Sequence, residues 1–340
     1  MNTSPSTPRR GRVGVMLPRD LPSAQVLPFV REAEDLGFDE LWVVEDLGFR
    51  GGVAQAGAAL ASTARITVGI GILPAGARNA AFAAMELATL SQLFPGRLTV
   101  GVGHGMEDWM RQVDARPASP LTLIEEYTTT LRTLLRGDPG PAPGRYVHAQ
   151  DVLLDQPPAH TPPLVLGVRG PKSLAVAGRV ADGILLAEPS APAYVSAALG
   201  HARSEAPGRD MEVITYDVAL VDDDGEAALE QVRPALACAG EAAWSPHIAP
   251  LPYARELAEH RDACASAEEF AATMPRAWVD ELSLAGTVDQ VRAKIAARHD
   301  AGATSVVLTP AGPDPLAMLR SLGRVLDGDR PSSPDDAPRP

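Results

Sequence analysis

The sequence predicts a single (β/α)8 barrel, and three observations carry the prediction. First, eight short apolar runs alternate with helix-patterned segments over about three hundred residues. Second, the stretch 66–105 (ITVGIGILPAGARNAAFAAMELATLSQLFPGRLTVGVGHG) reads as a buried strand, a helix and a second buried strand. Its tight return implies parallel strands and a right-handed crossover. Third, the strands run out into glycine-rich or charged loops, and parallel α/β proteins bind ligands at those carboxyl ends. A doubly wound sheet is the alternative; no internal repeat or second domain is visible.

Taken in order, residues 1–11 are polar and read as a disordered arm. Residues 12–17 (RVGVML) form the first strand, which ends at Pro18. A helix over 24–36 places Val26, Phe29, Val30, Ala33 and Leu36 on one stripe and stops at Gly37. Residues 40–45 (ELWVVE) form strand two, whose exit loop 46–52 carries charge and glycine; a helix over 53–63 follows. In the central block, the β-branched run from Ile66 to Ile72 is strand three. Asn79 caps the next helix, and Phe82, Met85, Leu87, Leu90 and Leu93 suit its apolar face. Pro95-Gly96 stops it, and 98–102 is strand four. The loop after Gly105 (MEDWMR) is longer than a connector requires, which points to function.

A helix over 121–135 is followed by a short β insertion at 145–154. Residues 164–167 (LVLG) are strand five, a helix opens at Gly170, and 183–186 (GILL) are strand six. A helix over 192–206 leads to strand seven at 212–221, which alternates enough to be half exposed. From 222 to 284 the periodicity is helical but broken by prolines, as in an insertion covering part of the barrel mouth. A helix over 287–301, strand eight at 304–308 (TSVVL) and a helix over 315–326 complete a barrel spanning 12–328. The tail 329–340, rich in Pro, Asp and Ser, reads as disordered.

Composition excludes several classes. A net charge of -13 argues against a nucleic-acid partner or an anionic membrane surface. Hydrophobic residues make up 45% of the 340-residue chain, enough for a sizeable core, but aromatics only 4%, so that core is Ala, Val and Leu. The two cysteines, Cys238 and Cys264, lack CxxC or nearby-histidine spacing, so no disulfide scaffold or zinc site is expected. The N-terminus has no apolar signal core and no run has membrane-spanning length, so a cytoplasmic location is expected. No H-E-x-x-H, Walker A or G-x-S-x-G motif occurs, and no metal is expected.

Two constellations could carry chemistry. Arg169, Gly170, Pro171, Lys172 and Ser173 lie between a strand and a helix start. Free backbone N–H groups and two cations there suit a phosphate; a plain helix start is the alternative. Glu45 and Asp46 end strand two, and His104, Glu107 and Asp108 follow strand four, so carboxylates and an imidazole could meet at one face. Backbone bonding by Asp46 and a helix start at Glu107 are the alternatives. Trp109 is a candidate wall of a substrate pocket. The other histidines are scattered over insertions and helices and read as structural.

Gly71-Ile72-Leu73-Pro74, Arg78-Asn79, Pro95-Gly96-Arg97 and Gly101 to Gly105 follow one another in an order that resembles the luciferase-like flavin and deazaflavin oxidoreductases. The stretch 165–186 (VLGVRGPKSLAVAGRVADGILL) resembles that family's cofactor-phosphate segment and is the most specific match. The resemblance covers most of the barrel. It implies a bacterial-luciferase type barrel with insertions at the C-terminal face, and a cis non-proline bulge at Gly71-Ile72 against a cofactor ring. The implied cofactor-binding residues are Gly71, Ile72, Arg78, Gly103, His104, Arg169, Gly170, Pro171 and Lys172. Asp46 or Glu107 would move the substrate proton, while His104 is better suited to lining the cofactor. Homodimers are usual in such relatives.

Some deazaflavin-dependent relatives carry a histidine and a glutamate where this chain has Leu47 and Met106, which sets it apart from sugar-phosphate dehydrogenases. The resemblance allows the deazaflavin F420 or FMN. Arg50, Arg78, Arg169 and Lys172 on mouth loops suit the longer anionic tail of F420. The two lysines, Lys172 and Lys294, against many arginines suit a GC-rich genome of the kind in which F420 is common. The expected activity is hydride transfer between F420 and a small organic substrate. The alternative is an FMN-dependent monooxygenase using O2 and reduced flavin from a partner reductase. A non-catalytic flavin carrier on the same fold is a third reading.

Overall fold

The strands are β1 (Arg12–Met16), β2 (Glu40–Val43), β3 (Thr67–Pro74), β4 (Leu98–Gly103), β5 (Leu164–Gly167), β6 (Gly183–Leu186), β7 (Glu212–Val221), β8 (Leu284–Gly286) and β9 (Ser305–Pro310) in a computed structural model that describes residues 11–326. Residues 1–10 of the expected arm, and the expected tail, lie outside the described residues. All strand pairs are parallel, in the order β6-β5-β4-β3-β2-β1-β9-β7-β8, and β6 also pairs with β7. That last pairing closes eight strands, β1 to β7 and β9, into a barrel. β8 stands outside the ring and pairs only with the end of β7, Ala219 to Val221. Three residues, LAG, carry too little pattern to have been read as a strand from the sequence.

The helices are α1 (Ser23–Leu36), α2 (Gly52–Ala61), α3 (Ala80–Leu93), α4 (Glu107–Gln112), α5 (Pro120–Leu135), α6 (Pro171–Val180) and α7 (Pro192–Arg203) in the first part of the chain. Between β7 and β8 come α8 (Gly225–Val232), α9 (Ser245–Ile248), α10 (Ala254–Ala263), α11 (Ala267–Thr273) and α12 (Arg276–Leu282). α13 (Val288–Asp300) and α14 (Pro315–Gly323) flank β9. Local chemistry sets several ends. Gly37 stops α1 in the left-handed region at φ 90°. The Asn79 side chain accepts from the Ala81 amide at the start of α3. Thr287 and Gln290 form a reciprocal capping box on α13.

The main core lies between the barrel wall and the outer helices. A smaller cluster, Met16, Trp42, Val165, Leu185, Ile214, Tyr216 and Val307, fills the barrel interior. Gly69 makes this possible, since a Cβ there would stand 2.3 Å from the Trp42 ring. Below Trp42 the N-terminal end is closed by a polar network in which Arg12 pairs with Glu40 and Glu212, and Glu40 accepts from Trp42 and Ser305. The helices between β7 and β8 bury a core of their own against β7, including Leu236, Leu257, Phe270 and Val279.

Three expectations are corrected. Residues 145–154 form no strand; Glu126 of α5 instead accepts from the amides of Arg145, Tyr146 and Val147 at 2.8–3.1 Å, doing for them what a strand partner would do. β7 is buried along nearly its whole length rather than half exposed, because the insertion covers its outer face. On α3, Phe82, Met85 and Leu93 face outward, while Ala80, Ala83, Ala84, Leu87 and Ala88 face the barrel. Small residues take the inner side because they let the helix lie close to the sheet.

Candidate active site

The mouth is built from strand ends that glycine keeps open. β3 shifts register between Ile70 and Leu73, and the Gly71-Ile72 peptide is cis, in the place where the family resemblance put it. The bend turns the Ile72 side chain across the end of the adjacent β4 and on to that of β5 beyond it. A Cβ on Gly167 of β5 would stand 2.4 Å from Ile72 Cγ2, and one on Gly103 of β4 would stand 2.3 Å from Ile72 Cδ1. Gly71 is packed equally closely, its missing Cβ lying 1.8 Å from the Tyr216 hydroxyl. That hydroxyl is buried and has no hydrogen-bond partner among the described residues. The strand-end glycines therefore accommodate a flat apolar floor centred on Ile72, with an orphaned phenol beneath it.

α6 points its N-terminus at the same opening. Pro171 occupies the first turn, no side chain caps that end, and a Cβ on Gly170 would meet nothing within 4 Å. Lys172 is exposed and makes no ion pair or side-chain hydrogen bond among the described residues. His104, just after β4, is bonded to Ser173 of α6 at 3.3 Å (Nε2 to Oγ), which ties the two strand ends together. Burial, and then the charge of Arg169, lower the His104 pKa below its ordinary value, so the ring is neutral at pH 7. An anion cradle beside a flat apolar floor fits a phosphorylated, ring-bearing cofactor of the flavin or deazaflavin kind.

The other sequence candidates are not all free to meet a ligand. Arg78 is bidentate to Glu45, whose carboxylate also accepts from the Gly52 amide. Arg50 is bonded to the carbonyls of Leu21 and Pro18. Arg169 lies over the Trp244 ring at 4.4 Å and donates to the Ala243 carbonyl. Of the four cations expected to receive an anionic tail, only Lys172 is without a protein partner among the described residues. Asp46 is paired with Arg19, and the exposed Glu107 with Arg116 on the rim. No hydrogen bond or ion pair among the described residues joins either carboxylate to His104. Trp109 lies half-buried on α4. A cavity of about 510 Å³, lined by Arg78, Asn79, Tyr127, Tyr146 and His148, opens outside the mouth and contains neither the Ile72 floor nor the α6 end.

Two residues at the mouth escaped the sequence reading, Tyr216 and Glu188. Glu188 follows β6 and is half-buried. Its neighbours come from distant parts of the chain, and AEPSAP alone reads as an acidic loop. Among the described residues no group of His, Cys, Asp and Glu side chains is arranged to hold a metal, and no helix is long and apolar enough to cross a membrane.

This barrel, with its bulged β3 and the uncapped start of α6, defines the class, and comparison with known proteins gives the family. The chain belongs to the luciferase-like monooxygenase family of oxidoreductases, whose model matches residues 6–305. The 5,10-methylenetetrahydromethanopterin reductase of Methanolobus tindarius is 25% identical over 90% of this chain and 97% of its own length. The phthiodiolone/phenolphthiodiolone dimycocerosates ketoreductase of Mycobacterium bovis is 29% identical over 72% of this chain and 69% of its own. Among solved structures, the coenzyme F420 dependent tetrahydromethanopterin reductase of Methanopyrus kandleri superposes with a TM-score of 0.80 at 23% identity, covering 94% of this chain and 99% of that one. The oxygenating constituent of 3,6-diketocamphane monooxygenase from Pseudomonas putida, in complex with FMN, superposes at 0.72 and 18% identity, covering 93% and 96%.

Proposed function

We propose that the protein is an F420-dependent oxidoreductase that transfers a hydride between the deazaflavin and a small organic substrate. The observation that carries this reading is the uncapped N-terminus of α6, with Lys172 unpartnered, tied by His104 to the strand ends that hold the Ile72 floor. The α6 end and Lys172 would hold the cofactor phosphate. Gly71, Ile72, Gly103 and His104 would carry the ring, and Gly170 and Pro171 leave the backbone open for close approach. Arg78 would act through Glu45, fixing the β2 exit rather than touching the cofactor. Trp109 would line the substrate side.

The two relatives described above are both named as reductases, which favours hydride transfer over oxygenation. Bound F420 would supply two-electron hydride chemistry, and the protein would position the ring and exclude water. Paired fluorescence titrations of the purified protein with F420 and with FMN test the reading. Tight binding of F420 alone, followed by turnover with a panel of carbonyl compounds and alcohols, is the expected result. Tight binding of FMN alone would establish the monooxygenase alternative, and binding of neither would overturn the cofactor assignment.

A further inference from the structure

We propose that Glu188 is the catalytic acid of this site, donating its carboxyl proton to the substrate oxygen as the adjoining carbon receives hydride. The inference rests on the hydride-transfer reading above and adds to it the proton source and a substrate class, a polarised carbonyl compound.

Placement is the first argument. The groups that act electrostatically on the Glu188 carboxyl are Asp217 on β7, Arg169 after β5 and Asp46 after β2. It acts in turn on Tyr216, whose hydroxyl lies against Gly71, and on Cys238 of the insertion. Glu188 follows the mouth end of β6, and its carbonyl is bonded to Trp244, on whose ring Arg169 rests. Ser190, two residues on, is bonded to Asp217 of β7, which places Glu188 among the strand ends of the mouth.

Availability is the second. Asp46 and Glu107 are each engaged by a guanidinium, whereas the Glu188 carboxyl has only its own backbone amide as a hydrogen-bond partner among the described residues. Burial, then the neighbouring Asp217 and Asp46, raise its pKa above the ordinary carboxyl range; Arg169 and its own amide oppose this and do not prevail. A carboxyl whose pKa is raised by burial and like charge is better matched to general-acid work than an ordinary one.

Rigidity is the third. The backbone around Glu188 is held on both sides. Trp244 Nε1 donates to the Glu188 carbonyl at 2.8 Å, and His247 Nδ1 donates to the Pro189 carbonyl at 3.1 Å. The Ser190 amide donates to Asp217 at 3.3 Å, and Asp217 is itself fixed by Arg298 in a fully buried ion pair at 2.9 Å. Asp217 and Arg298 are thus positioning residues for the loop. A backbone held this firmly limits the reorganisation needed to present the Glu188 side chain to a substrate.

The step balances. The substrate carbonyl carbon gains a hydride, two electrons and one proton, from the reduced deazaflavin, which is left oxidised. The carbonyl π pair moves to oxygen, which takes the proton of Glu188. The product is an alcohol, and the carboxylate recovers its proton from water in the mouth.

The test is infrared difference spectroscopy of the native protein against Glu188→Gln, with Asp46→Asn as control, joined to F420 affinity and turnover. A protonated-carboxyl stretch at pH 7 that Glu188→Gln abolishes and Asp46→Asn retains is expected. Glu188→Gln should also lose about a hundredfold or more in turnover with F420 affinity unchanged. Identical carboxyl spectra for native protein and Glu188→Gln would overturn the proposal whatever the kinetics. A lost band with undiminished turnover would overturn the donor role. Absence of F420 binding by the native protein would instead sink the cofactor reading, and the donor role with it.

Discussion

Replacing Gly167 by alanine tests whether the strand-end glycines exist to seat Ile72. The added methyl would stand 2.4 Å from Ile72 Cγ2, a distance that real Cβ atoms do not adopt, and its next nearest neighbours, Ile72 Cβ and Cγ1, lie at an ordinary 3.6–3.7 Å. One methyl group of one side chain therefore carries the whole conflict. Overpacking of this kind costs about 1–3 kcal/mol. Gly167→Ala should lower stability by that amount in urea unfolding and weaken cofactor binding as the floor tilts. Ile72→Ala alone removes the conflicting methyl but leaves a void, and should also destabilise. In the double variant the new methyl enters the vacated space. The two losses should then fall short of adding by about 1 kcal/mol or more, the size expected of residues in direct contact. Strict additivity, with each variant contributing its full single-site loss, would refute the seating of Ile72 by Gly167.

Three further outcomes are expected. Lys172→Ala should leave the unfolding midpoint unchanged and weaken F420 binding by about 10–100-fold, the loss of one charge-assisted phosphate contact; equal affinity by fluorescence titration would remove Lys172 from the phosphate site. Arg298→Met should cost about 3–5 kcal/mol by leaving Asp217 buried without its partner. Burial already raises the Asp217 pKa in the native fold, so the folded state binds its proton more tightly than the unfolded chain does. Stability from this group therefore falls as pH rises from the unfolded to the folded pKa. The variant, with a still higher folded pKa, should recover on acidification across a wider window, which urea melts over pH would show. Finally, NMR titration of His104 should give a midpoint below the usual imidazole value, since burial and Arg169 both disfavour its charged form; a raised midpoint would place an unrecognised anion beside it.

Eight barrel strands were legible because each is a concentrated β-branched or leucine run between breakers, and the Asn79 cap and Gly37 stop act through chemistry local to the sequence. Elements governed by long-range partners were not. The segment after residue 144 looked like a strand because nothing local shows that Glu126, on α5, satisfies its amides. The inner face of α3 was misread because alanines, weak hydrophobic markers, do the packing while Phe82 and Met85 point out. In the site, the start of α6 could be read from Gly-Pro-Lys-Ser, since a helix N-terminus is a local object. Arg50 and Arg78 read as free cations because the carbonyls and the carboxylate that hold them come from other strand ends. Glu188 was invisible for the same reason, its surroundings being assembled by closure of the barrel and not by spacing along the chain.

The insertion between β7 and β8 has one consequence for engineering. Through Trp244 and His247 it grips the backbone on either side of the Glu188–Pro189 bond, and Arg169 rests on the same indole. The loops after β5 and β6 and the insertion after β7 thus brace one another as a single structural unit, though more than fifty residues separate Glu188 from its indole partner. Grafting a relative's mouth loops onto this chain without the matching insertion would leave them unbraced. Recombination points placed before β5 and after α13 would move the unit whole, with the buried Asp217–Arg298 pair inside it.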